Sequence, residues 1–276
     1  MSEKDKSHRG YIIPIGGREE KDTAHPLVLK RFIELSGGHD AVISVIPTAS
    51  NLKDTGDAYV DIFKRLGVKK IYNNKITNRI DANNEKFVNQ LEKSTGIFIT
   101  GGNQLLLSTI LGGTPVAKMI RKKSHHGTPV AGTSAGAAFL PEHMIISGKS
   151  GAIPHLGGVM MAPGLGLTNK IMIDQHFSQR NRLGRLLTAL SYNPYKTGIG
   201  VDEDTAAVIA PTGIIEAVGS GALTIIDMSK VEFTSVAEAK EGDVISLVGV
   251  KIHTLSNGDF YDTSSHTIIH HKGKTK

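Results

Sequence analysis

The sequence contains no cysteine and no tryptophan. Without cysteine, no disulfide can form, no thiolate can act as a nucleophile and no cysteine metal site can exist. Aromatic residues make up only 5% of the chain, which argues against a base-stacking platform for nucleic acid. No apolar run approaches the ~20 residues that cross a bilayer, so no membrane partner is expected. The stretch Met-Ser-Glu-Lys-Asp-Lys-Ser-His-Arg-Gly at the N-terminus is highly charged and lacks the apolar segment of a signal peptide. A cytoplasmic protein is expected. Concentrated charge is scarce too. The net charge is +6, but dense basic runs occur only at Arg121–His126 and in the tail HHKGKTK. They read as solvated surface, and no nucleic-acid partner is expected.

What is present is an ordinary globular composition over 276 residues. That length allows one large α/β domain or two small ones, and no Pro- or Ser-rich linker divides it. A single domain over residues 1–276 is expected, with about 1–10 and 271–276 as frayed ends. Apolar runs at Tyr11–Gly17, Ala41–Ser50 and Gly96–Gly102 are continuous rather than alternating, as in strands covered on both faces. Helical patterns stand between them. Over residues 55–68, Tyr59, Ile62, Phe63 and Leu66 share one face, and Gly67 is a stop. Strand–helix repetition predicts a doubly wound, mostly parallel sheet. After about residue 213 short strands with tight turns follow, read as antiparallel additions to the same domain.

Glycine-rich turns close several strands at their carboxyl ends, the edge where such sheets carry their sites. Gly132-Thr133-Ser134-Ala135-Gly136 follows one of them and fits Gly-x-Ser-x-Gly, a turn that exposes a serine hydroxyl. Alone it is equally a structural turn. As a nucleophile, Ser134 needs a base, a group to orient that base, and N–H donors for the oxyanion. The N–H of Ala135 is one donor, and Gly102 or Asn103 in the turn Thr100–Gln104 could supply the other. Asn103 equally suits a helix cap. The amide of Gln104 could meet a substrate carbonyl or carboxylate.

Twelve histidines are present. His125, His126, His266, His270 and His271 lie in polar loops or tails, where solvation is the default. His176 instead follows the apolar strand Lys170–Asp174, at another carboxyl strand end. A helix is expected directly after it, with Arg180, Arg182 and Arg185 in its first turns. Cations there oppose the helix dipole, so a carboxylate-bearing partner held by guanidinium forks is the better explanation. Asp202, Glu203 and Asp204 follow the short strand beginning at Gly198, and any of them could orient His176. The order serine, histidine, acid differs from that of the α/β-hydrolases.

These segments resemble the cyanophycinases, in the branch of serine peptidases that also holds the aspartyl dipeptidases (peptidase E). The resemblance rests on GTSAGA at Gly132–Ala137, TGGNQ at Thr100–Gln104 and DQHFSQRNRLGRLL at Asp174–Leu187. GIGVDEDTA at Gly198–Ala206 and IPIGGREEKD at Ile13–Asp22 extend it. It implies a flavodoxin-like, class I amidotransferase-like α/β/α sandwich, often as a homodimer. It implies Ser134 as nucleophile, His176 as base and Glu203 as the acid. It places Gln104, Asp174, Gln175, Arg180, Arg182 and Arg185 along the substrate site. The implied substrate is cyanophycin, a poly-aspartate with arginine on each β-carboxyl, released as β-Asp-Arg dipeptides from the chain end. An aspartyl dipeptidase, or a binding module that has lost catalysis, is the alternative. No metal or other cofactor is implied. Pro141–Gly158 matches nothing and is expected to be a loop beside the site.

Overall fold

The computed structural model describes residues 9–21 and 26–269. The first half of the chain alternates as the apolar runs require. β1 (Ile12–Ile15), α1 (Leu27–Leu35), β2 (Val42–Ile46), α2 (Thr55–Arg65) and β3 (Lys70–Asn73) come first. α3 (Glu85–Glu92), β4 (Gly96–Ile99), α4 (Gln104–Leu111), α5 (Pro115–His125), β5 (Val130–Thr133) and α6 (Ala135–Phe139) follow. Local chemistry sets the helix starts. Asn103 Oδ1 caps α4 by accepting from Leu105 N, and Thr114 Oγ1 caps α5 ahead of Pro115.

The five strands pair in parallel in the order β3-β2-β4-β5-β1. Continuous apolar strands have two faces to bury, and both are covered. Ile97 and Ile99 of β4 join Leu107, Leu111, Val116 and Ile120 of α4 and α5 on one side. Phe98 joins Phe32 of α1 and Phe63 of α2 on the other. The result is a three-layered α/β/α arrangement with a mixed sheet. The face of α2 read from the sequence is the buried one, with Leu66 half-buried.

The later strands are β6 (His143–Gly148), β7 (Val159–Pro163), β8 (Ile171–Gln175), β9 (Thr197–Val201), β10 (Thr205–Ile209), β11 (Ile214–Gly219) and β12 (Leu223–Asp227). Between β8 and β9 lies α7 (Leu183–Ser191). The chain ends in β13 (Phe233–Thr234), β14 (Leu247–Val248), β15 (Lys251–Leu255), β16 (Phe260–Asp262) and β17 (Thr267–Ile269). β10, β11, β16 and β17 extend the main sheet beyond β1 with antiparallel pairing. The others do not all join it. β15, β12, β9 and β8 form a second, four-stranded sheet. Its Ile173, Val201, Leu223 and Ile225 pack on Ala207, Ile215 and Ala217 of the main sheet. α7 covers its other face through Leu186, Ala189 and Leu190.

Three local expectations need correction. Pro141–Gly158 is not simply a loop: β6 and β7 form an antiparallel hairpin, in which the successive buried residues Met144 and Ile145 enter different core clusters, as side chains alternating across a strand do. The helix after His176 begins only at Leu183, with Ser178–Arg180 a separate 3-10 turn, since Asn181 adopts a left-handed φ of 49°. Gly10 is packed rather than frayed: its N–H donates to Ser124 O at 2.6 Å. The remaining segments expected to fray, 1–8 and 271–276, lie outside the described residues, as do His270 and His271. Among the described residues, no helix is long and apolar enough to cross a membrane.

Candidate active site

The carboxyl ends of β1, β4, β5, β8 and β9 converge. Ser134 leaves β5 with φ 52° and ψ −110°, a backbone region that L-residues rarely occupy. Its N–H donates to Ile15 O at 2.9 Å, and its carbonyl accepts from Ala138 N at 3.1 Å. Those bonds hold the strained turn between β1 and α6. Neighbouring glycines make room. A Cβ at Gly132 would lie 2.4 Å from Gly136 C, and one at Gly136 would lie 2.3 Å from Ile99 O.

His176 follows β8 with φ 47° and donates its N–H to Gly16 O at 2.9 Å. Its Nε2 lies 2.9 Å from Ser134 Oγ, and its Nδ1 lies 2.7 Å from Glu203 Oε1. A carboxylate can only accept, so Nδ1 carries the hydrogen and Nε2 accepts from the serine hydroxyl. Burial lowers the pKa of His176; Arg180 and Arg182 lower it further, and the Glu203 hydrogen bond opposes them. The imidazole is therefore neutral near pH 7. Of the three neighbouring acids, only Glu203 meets His176. Asp202 accepts from Ser178 N at 2.9 Å, and Asp204 accepts from Glu20 N at 2.7 Å and Ser220 Oγ at 2.6 Å. The two aspartates anchor the turn that presents the glutamate. Arg18 approaches the other Glu203 oxygen at 3.5 Å.

Gly102 is exposed, at φ 142°. The choice between Gly102 and Asn103 as oxyanion donor narrows here, because Asn103 N already donates to Ala49 O at 2.8 Å. Ala135 opens α6, so its N–H has no partner within the helix.

The charged cluster differs from the sequence expectation. Asp174 is buried, and its carboxylate accepts from Arg185 Nε at 2.5 Å, from Arg185 Nη2, and from Arg182 Nη1 at 3.3 Å. Arg182 also donates to Gln175 O. The carboxylate held by these two guanidinium forks is thus internal, and Asp174 is engaged by the protein's own arginines. Two cations against one anion leave an excess of positive charge. Burial pushes Arg182 down to about 10, with Asp174 opposing and Arg185 and Arg180 reinforcing the shift. Arg180 is exposed, and of the three arginines it alone has no ion pair among the described residues. The Gln175 side-chain oxygen is buried without a hydrogen-bond partner among the described residues. The amide of Gln104 donates to Ile146 O at 2.6 Å and Ile145 O at 3.3 Å, tying α4 to the β6–β7 hairpin.

The sequence assigns no role to the segment after β1, although it meets His176, the Glu203–Asp204 turn and Thr133. A Cβ at Gly17 would lie 2.4 Å from His176 Cε1, and Gly17 O accepts from Asp204 N at 2.9 Å. Glu19 is buried. It accepts from Thr133 Oγ1 at 2.6 Å, beside the Ser134 turn, and from the Tyr59 hydroxyl. The signal was a glycine pair at a strand's carboxyl end followed by charged residues.

A serine hydroxyl hydrogen-bonded to a neutral, carboxylate-oriented imidazole on an α/β/α frame defines the class: a serine-type hydrolase. Comparison with known proteins makes this specific. Peptidase family S51 matches residues 12–216, and the chain belongs to that family of serine-type peptidases. It is 40% identical over 265 residues to a cyanophycinase of Synechococcus elongatus, covering 95% of this chain and 82% of the relative. It is 40% identical over 260 residues to a cyanophycinase of Geminocystis herdmanii, covering 94% and 95%. The fold is shared with the crystal structure of a peptidase from an acI-B1 Actinobacterium, at TM-score 0.67 and 22% identity, covering 92% of this chain and 97% of that one.

Proposed function

We propose that this chain is a cyanophycin-degrading exopeptidase that releases β-Asp-Arg dipeptides through an acyl-enzyme. The observation that carries the mechanism is the continuous hydrogen-bonded line Ser134 Oγ–His176–Glu203, at 2.9 and 2.7 Å. The likeness to two cyanophycinases supports the substrate. His176 Nε2 takes the hydroxyl proton as Ser134 Oγ attacks the backbone carbonyl. Glu203 holds the imidazole in the needed tautomer and stabilises its charged form. The N–H groups of Ala135 and Gly102 face the developing oxyanion. The imidazolium then protonates the leaving amine, and water, deprotonated by His176, hydrolyses the acyl-enzyme. The neutral resting imidazole suits this role, since a protonated one could not accept the serine proton.

Arg180 is the guanidinium placed to meet a substrate carboxylate. Arg182 and Arg185 act through Asp174, and their uncompensated charge favours an anionic group nearby. Gln175 offers an acceptor to a substrate donor, and Gln104 shapes the site by fixing the hairpin. The reading includes a single-domain enzyme that works in the cytoplasm, as a homodimer, without a cofactor; the family resemblance supports these points.

The test incubates purified protein and Ser134→Ala with cyanophycin and follows β-Asp-Arg by mass spectrometry. Dipeptide from the wild type and none from the variant is the expected result. Turnover by Ser134→Ala would sink the mechanism. Wild-type cleavage confined to small aspartyl dipeptides would transfer the activity to that substrate class.

A further inference from the structure

The carboxyl edge of β2 and β3 carries a groove of about 640 Å³ that the chemistry above does not use. Volumes of this order hold small-molecule ligands. The loop after β2, the segment after β3 and the flank of α4 line it, with Leu52, Ile76, Leu106 and Ile110 as apolar walls. Lys53 and Lys75 are its charged lining residues, and among the described residues no acid lines it.

Two features of the groove suit a ligand. First, α4 is apolar beyond its core-facing side. Leu107 and Leu111 are fully buried, while Leu106 and Ile110, one turn apart on another flank, are only half-covered. Leu52, also in the lining, is 70% exposed. A helix with spare apolar surface wants a second cover. Second, Lys53 is exposed and has no ion pair among the described residues, whereas Lys75 is held by Asp57 at 2.7 Å. The groove thus joins an aliphatic wall to one unpaired cation.

Its position ties it to the nucleophile. A Cβ at Gly101 would lie 3.2 Å from Ser134 Cβ, and one at Gly102 would lie 2.0 Å from Ala49 O, in the groove-lining loop. Two glycines separate the reacting serine from that loop.

We propose that this groove is a second substrate-binding site. It takes the aliphatic, carboxylate-bearing arm of a chain unit beyond the two joined by the scissile bond. The methylenes lie against Leu52, Leu106 and Ile110. The carboxylate meets Lys53, and a terminal guanidinium turns to solvent. This rests on the polymer-cleaving function above.

The experiment compares the full chain with Lys53→Ala, Lys53→Glu and Leu52→Ser, each at an exposed position. Each is assayed on cyanophycin and on a fragment of two β-Asp-Arg units, which cannot reach the groove. KM for the polymer is expected to rise about threefold to fivefold in Lys53→Ala, the scale of one exposed ion pair, and further in Lys53→Glu. Kcat, and KM for the two-unit fragment, stay at wild-type values. Added salt should narrow the polymer difference. Unchanged polymer KM in all three variants, or equal increases on both substrates, overturns the proposal while leaving the wild-type activity intact. A wild type that cleaves neither substrate removes the functional reading itself, and this proposal with it.

Discussion

Asp174→Asn separates two meanings of the charged cluster. If Asp174 contacts substrate, the change should alter KM and little else. The structure places it between two buried guanidiniums. The asparagine keeps the shape but removes the only carboxylate paired with them among the described residues. Breaking a buried pair in this way costs about 3–5 kcal/mol, because the remaining charge stays desolvated and unpaired. Unfolding entropy is about 2.1 cal/mol/K per residue. For 276 residues that is about 0.6 kcal/mol/K, so the midpoint should fall by about 5–9 °C. Thermal unfolding followed by circular dichroism at neutral pH measures this directly. The double variant Asp174→Asn/Arg185→Met should recover part of the loss, since it removes one stranded cation. An Asp174→Asn protein with a wild-type midpoint and only a raised KM would refute the reasoning.

Other consequences follow from the same geometry. Gly17→Ala should lower kcat about 100-fold, because its Cβ would lie 2.4 Å from His176 Cε1 and must displace the imidazole; near-normal kcat would show that the ring has slack. Glu203→Gln should lower kcat by about 10⁴ through loss of the correct tautomer, with little change in unfolding midpoint at this partly exposed position, and steady-state kinetics reads it. In Arg180→Ala the His176 pKa should rise, since Arg180 is one cause of its depression. Activity needs the neutral ring, so the acid limb of the kcat/KM profile should move to higher pH; a shift to lower pH, or none, would contradict the electrostatics. The depression also has a stability sign. The unfolded histidine takes up a proton near its ordinary value of 6.5 and the folded one does so lower. This group's contribution is therefore full above that value and is lost as pH falls from there through the folded pKa, which urea midpoints across that range would reveal.

Much of this arrangement was legible in one dimension because its signals are local. Continuous apolar runs mark strands with two buried faces, so the parallel sheet could be read without coordinates. Ser134 stands in a Gly-x-Ser-x-Gly turn at a carboxyl strand end, and His176 stands at another, outside the polar stretches and tails that hold His125, His126, His266, His270 and His271. Glu203 was legible only through the family resemblance. Spacing treats Asp202, Glu203 and Asp204 alike, and their division of labour depends on backbone N–H groups of Ser178, Ala222 and Glu20 contributed by other segments. The arginines show the limit most clearly. A guanidinium announces that it needs an anion but not which one, and Asp174 became that anion for Arg182 and Arg185 because β8 and α7 fold against each other. Gly17 and Glu19 likewise acquire their contacts with His176 and Thr133 when β1 pairs with β5 and the second sheet docks beside it. Local chemistry determines elements and candidate groups; long-range packing determines which groups meet, because charge and hydrogen-bond pairing depend on distance in space rather than along the chain.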